Sequence, residues 1–137
     1  MRRSLSLVFS VSVFALIAAA CGNDLTSLET TPSQTVTESF TGTLNPNGGT
    51  THAFIVTGKG AVQATLTAVG TDNTLVVGLS LGNWTGTACS LSVANDNAIA
   101  TIPLTATVSA AGQLCARVYD SKGLTEAAEY TLQVIHP

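Results

Sequence analysis

Apolar and polar residues alternate along most of this chain, and each alternating run is bounded by Gly, Asn or Pro. "TVTESFTGTL" (35–44) sets Val36, Glu38 and Phe40 against threonines, and "NPNGG" (45–49) then supplies a turn. "THAFIV" (51–56) reads as a second strand, and "TGKG" (57–60) as a tight hairpin turn into "AVQATLTAV" (61–69), with Val62, Ala64, Leu66 and Ala68 on one face. "TLVVGLSLG" aligns Leu75, Val77, Leu79 and Leu81, and a long irregular stretch over 82–97 separates it from "IATIPLTATV" (99–108), where Pro103 marks an edge or a bulge. "AAGQLCARVY" and "EYTLQVI" finish the pattern, with Leu114, Ala116, Val118, Tyr130, Leu132 and Val134 inward.

Period-2 alternation of this kind belongs to sheets with one buried and one solvated face. "LTEAAEY" has room for one helical turn at most and reads equally well as a loop. About seven to eight short strands at this spacing predict an all-β fold, a single antiparallel β-sandwich over residues 35–137.

The N-terminus breaks the pattern. After "MRR", residues 5–20 form one apolar run interrupted only by Ser6, Ser10 and Ser12, and it ends in three alanines. Those sixteen residues fall short of the roughly 20 a spanning helix needs, while the cationic start and small-residue end match a cleaved export signal over 1–20. "LIAAAC" resembles the lipobox of bacterial lipoproteins, and the resemblance implies that Cys21 carries the lipid; Ala18 stands where that family usually has leucine. Each buried methylene contributes about 0.8 kcal/mol, so two or three acyl chains hold a protein firmly. The alternative is an ordinary signal with a free N-terminal cysteine. "GNDLTSLETTPSQ" (22–34), rich in Thr and Ser, reads as a tether, so that 21–34 forms a lipidated linker to the domain. The expected address is the cell envelope, with a membrane partner through the anchor, at the outer membrane or cell surface.

Without the signal, Lys59, Arg117 and Lys122 face eight acids, a net charge of −5. No basic cluster offsets this, which argues against nucleic acid as a partner. Export places Cys89 and Cys115 in an oxidising compartment, and with Cys21 set apart by position they form the expected disulfide. Cys115 alternates with Leu114, Ala116 and Val118, so it faces away from the core, and the bridge pins the 82–97 loop to the outside or edge of a sheet. Two cysteines without neighbouring histidines do not make a structural zinc site.

Residues 35–137 also resemble the bacterial pre-peptidase C-terminal (PPC) domain: "FTGTL", "GQLCARVYDSKG" and "EYTLQVI" follow its rhythm, carried most clearly by Gly112, Arg117-Val118-Tyr119, Tyr130-Thr131-Leu132 and Val134. Leu114-Cys115 stand where that family prefers aromatics. The resemblance implies a jelly-roll-like sandwich and an accessory role beside secreted enzymes.

Chemistry-bearing residues are few. "GLSLG" (78–82) fits the letters of a hydrolase nucleophile motif around Ser80, but alternation through Leu81 denies it the strand-to-helix elbow. His52 opens a strand and His136 lies near the C-terminus, so no catalytic residue is assigned. Asp72, Asp96 and Asp120 sit in oxygen-rich turns and are weak calcium candidates, lacking ligand-spaced loops; turns favour Asp for its own sake. No other cofactor or metal is expected. Trp84, in "GNWTGTAC", is the candidate ligand contact, with packing under its own loop as the alternative. The leading expectation is a non-catalytic envelope module that presents loops to a protein or glycan partner. A small exported hydrolase would need His52 and Ser80 to converge, and a purely structural surface component is the third reading.

Overall fold

A computed structural model describes residues 34–137. Eight strands follow one another, with no helix among the described residues: β1 (Val36–Leu44), β2 (Gly49–Val56), β3 (Gly60–Val69), β4 (Val77–Trp84), β5 (Cys89–Ala98), β6 (Leu104–Val108), β7 (Gly112–Tyr119) and β8 (Ala128–His136). They form two four-stranded antiparallel sheets, ordered β1-β8-β3-β6 and β2-β7-β4-β5. Only the β4–β5 connection stays within one sheet; every other one crosses between them. Two sheets woven in this way form a jelly roll, one of the arrangements that bury both apolar sheet faces in a single core.

The core follows the alternation. Val62, Ala64, Leu66, Leu132, Val134 and Tyr130 from the first sheet meet Phe54, Val56, Val77, Leu79, Leu81, Leu114, Ala116 and Val118 from the second. The predicted inward face of β3 fails at its end. A bulge between Leu66 and Ala68 shifts the register against β8, so Ala68 is half-buried and Val69 takes the buried position.

Two expectations are corrected. Residues 57–60 do not close a hairpin: β2 and β3 belong to different sheets, and the Thr57 amide donates to the Pro137 carbonyl at 3.0 Å. Nor is 82–97 a loop. It contains the end of β4, a four-residue turn at 85–88 and all but the last residue of β5, the edge strand of the second sheet. In the turn Gly86 adopts a φ of 94°, and the Thr85 amide donates to the Ala88 carbonyl at 2.9 Å. After β5, Thr101 holds a φ of 71°, an unusual conformation for a β-branched residue, with its amide donating to the Leu66 carbonyl at 2.7 Å.

Candidate functional site

β4 is buried on both faces. Val77, Leu79 and Leu81 point into the core, yet the outward Gly78, Ser80 and Gly82 are also buried. Three covers account for this. Over Gly78 lies the Tyr119 ring: an added Cβ there would come within 2.5 Å of its Cδ2 and closer still to its Cε2. Over Gly82 passes the β5 backbone, which would leave that Cβ 2.7 Å from the Ser90 carbonyl carbon and 2.9 Å from the Leu91 Cα. Close approach of this kind admits only glycine. Cys115, which pairs with Gly82 in the ladder, completes the third cover by bridging to Cys89.

That disulfide matches the expected pairing and joins β5 to β7 with β4 between them, at a Cα–Cα separation of 5.8 Å. Cys115 does face away from Leu114, Ala116 and Val118, but it is fully buried, and what it pins is a strand end. The turn at 85–88 is held further by the Thr85 hydroxyl, which donates to the Ala88 carbonyl at 3.0 Å and accepts from the Ala88 amide at 3.2 Å. Trp84 is thus the last residue of β4, half-buried and paired with Cys89, rather than an exposed loop aromatic.

The expected chemical residues are dispersed. Ser80 is fully buried in mid-strand, and its Oγ has no partner among the described residues. It faces outward from the second sheet. His52 faces inward from the same sheet, paired with the inward Ala116, so the sheet itself separates the two side chains. His52 stacks on Phe40 with ring centroids 4.8 Å apart, and its Nε2 lies within hydrogen-bond distance of the Tyr130 hydroxyl, at 2.7 Å. Burial holds its pKa below the ordinary 6.5, which favours the neutral ring, and burial pushes the Tyr130 hydroxyl upward. His136, fully buried against Phe54, places Nε2 3.0 Å from a Glu38 carboxylate oxygen and Nδ1 3.1 Å from the Pro137 carbonyl. These two clusters seal the β1/β2 flank of the sandwich.

Each calcium candidate is engaged by protein donors. Asp72 accepts from the hydroxyl and amide of Thr74, which lowers its pKa. Asp120 accepts from the amide of Asn47 above all, then those of Leu124, Gly123 and Lys122, and is lowered too. Asp96 accepts from the Tyr119 hydroxyl. Among the described residues no cluster of three or more His, Cys, Asp or Glu is arranged to hold a metal. The oxygens of Asp72 and Asp120 serve their turns, whereas Asp96, expected in a turn, lies in β5 and serves Tyr119 on β7.

The Tyr119–Asp96 pair went unrecognised in the sequence. Burial, reinforced by Asp96, raises the Tyr119 hydroxyl to about 12, and the Arg117 guanidinium lies 5.9 Å from the ring centroid. The signal lies in Gly49 and Gly78, the two register partners of Tyr119 on either side: Gly78 leaves space for its ring and Gly49 for the Arg117 guanidinium beside it. Cys21, the expected lipidation site, lies outside the described residues.

No protein-family profile matches the chain, and no curated protein matches it by sequence. Its fold is similar to that in the crystal structure of Yersinia pseudotuberculosis-derived mitogen (YPM), with a TM-score of 0.51 over 76% of this chain and 88% of that one, at 17% identity. At that identity the likeness concerns the fold alone.

Proposed function

We propose that this protein is a non-catalytic lipoprotein of the cell envelope, in which a rigid jelly roll, tethered through Cys21, presents its β4–β5 hairpin to a protein or glycan partner. One observation carries the reading. The hairpin tip at 85–88 is exposed, closed by three hydrogen bonds and clamped at its base by the Cys89–Cys115 bridge. A surface fixed in advance loses little conformational entropy when it binds, which is how scaffolded loops gain affinity. Trp84, half-exposed at the foot of the tip, supplies an aromatic anchor of the type interfaces favour.

The hydrolase alternative gains nothing from the placement of Ser80 and His52 on opposite faces of one sheet. YPM is named as a mitogen; that name fits a binding role, but at 17% identity it assigns no residue here.

Mass spectrometry of the mature N-terminus tests the anchor: a diacylglyceryl-modified Cys21 supports it, and a free thiol makes this a secreted domain. Glycan-array and envelope-protein binding test the hairpin. Binding lost in Trp84→Ala supports the reading, whereas ester or glycoside turnover dependent on Ser80 or His52 overturns it.

A further inference from the structure

The two open flanks of the sandwich are finished differently. Where β1 and β2 lie at the sheet edges, Phe40, His52 and Tyr130 fill the gap, and His136 with Glu38 closes its end. On the opposite flank, between edge strands β5 and β6, no such plug exists among the described residues. The inward-facing Val93, Leu104, Ala106 and Val108 stay partly exposed, and a cleft of about 350 Å³ opens between the sheets toward the β6–β7 connection. That volume lies at the lower end of the roughly 300–1,000 Å³ typical of small-ligand sites.

Its lining is specific in composition. The floor is aliphatic, made by Val62, Leu81 and Leu114, and the end wall is the small-residue turn from Ser109 to Gly112. The rim is polar and neutral, with Asn83, Ser92 and Ser109. Asn83 continues the inward row Val77, Leu79, Leu81 and pairs with the inward Leu114, so an amide occupies the place at the mouth where the pattern calls for another apolar residue. Its side chain is exposed at the rim of the cleft. No lining residue is ionisable.

From this lining we infer that the cleft binds the end of an uncharged glycan. A phosphate, carboxylate or ammonium ligand would enter a site without a counter-charge, which buried ions require. An acyl chain would desolvate the Asn83 amide and the serine hydroxyls and leave them unpaired. A sugar ring satisfies both parts of the lining: its C–H face packs on the aliphatic floor, and its hydroxyls exchange hydrogen bonds with an amide and hydroxyls that both donate and accept. This inference rests on the binding-module reading and narrows it to a neutral saccharide and to a surface separate from the hairpin tip.

The test is a titration of the ¹⁵N-labelled domain with three neutral hexasaccharides, cellohexaose, maltohexaose and chitohexaose, and with 1-octanol as the apolar control. At least one hexasaccharide is expected to give saturable shift changes at Asn83 and over 109–112. Asn83→Ala, an exposed change, is expected to weaken it by about tenfold, while Ser39→Ala, exposed on β1 at the opposite flank, leaves the affinity within about twofold. Three results overturn the inference: no saturable change with any hexasaccharide, saturation by 1-octanol alone, or sugar-induced shifts confined to the 84–89 hairpin. In the last case the binding-module reading stands while the cleft assignment falls.

Discussion

Gly78 offers a clean measurement of how the outer face of β4 is covered. Its φ is not in the left-handed region, so alanine meets no backbone penalty there, and relative to glycine it should gain about 0.5–1 kcal/mol through the entropy of the unfolded chain. The Tyr119 ring reverses that sign, because the new methyl would have to displace ring atoms at 2.5 Å or less. Overpacking of this kind costs about 1–3 kcal/mol. Gly78→Ala is therefore expected to destabilise by about 2 kcal/mol, a fall in Tm of about 10 °C for a domain of this size. Tyr119→Ala removes the ring, its bond to Asp96 and its contact with Arg117, but those losses are common to both proteins that carry it. In the Tyr119→Ala background, Gly78→Ala should be neutral or slightly stabilising, giving a coupling of about 2 kcal/mol. Urea unfolding of the four proteins closes the cycle. An effect of Gly78→Ala that agrees between the two backgrounds within about 0.5 kcal/mol would refute the steric account.

Three further outcomes are expected. Cys89→Ala/Cys115→Ala opens a loop closed over 26 positions, which on the chain-entropy estimate is worth about 3.5 kcal/mol; Tm should fall by more than about 10 °C, and a shift under about 3 °C would remove the clamp from the argument. His52 is neutral at pH 7.5, and its depressed pKa means the unfolded chain takes up a proton first as pH drops below 6.5. Stability contributed by the neutral ring is therefore complete above 6.5 and lost on acidification; an NMR titration that places the His52 midpoint at or above 6.5 would contradict this. Thr101→Gly relieves a β-branched residue of its φ of 71° and should stabilise by roughly 0.5–1 kcal/mol in thermal or urea unfolding, whereas a loss would show that the threonine methyl packs usefully.

Alternation alone revealed which residues of β3 as far as Leu66, and of β4, β7 and β8, face the core, because a period of two is enforced wherever one face is buried. It could not reveal which strands pair. The "TGKG" turn has hairpin chemistry, yet the strands it joins separate into different sheets, since pairing in a jelly roll is decided by burial of both faces at once. β5 escaped notice for a related reason: at a sheet edge facing an open flank, Val93 is one of the few apolar residues it needs, and "ACSLSVANDN" carries little pattern. The same edge explains why Trp84 looked like a loop residue. The cysteine pairing was legible from count and position, and Ser80 from its strand context. The Asn83 cleft was not, because it depends on two edges that diverge in space.

The pairing of β1 also has a mechanical side. Any load entering through the N-terminus reaches the domain at Val36, the first residue of an edge strand bonded to β8 alone and paired there with His136. Two residues further in, the Glu38 carboxylate meets the His136 imidazole at 3.0 Å and acts as a latch close to the point of pull. Once that latch and the β1–β8 ladder have parted, tension passes to β2 in the other sheet; the covalent staple between Cys89 and Cys115 lies far along the chain and bears no force until then. A pull from the N-terminus therefore loads one carboxylate, one imidazole and nine residue pairs before it reaches the disulfide.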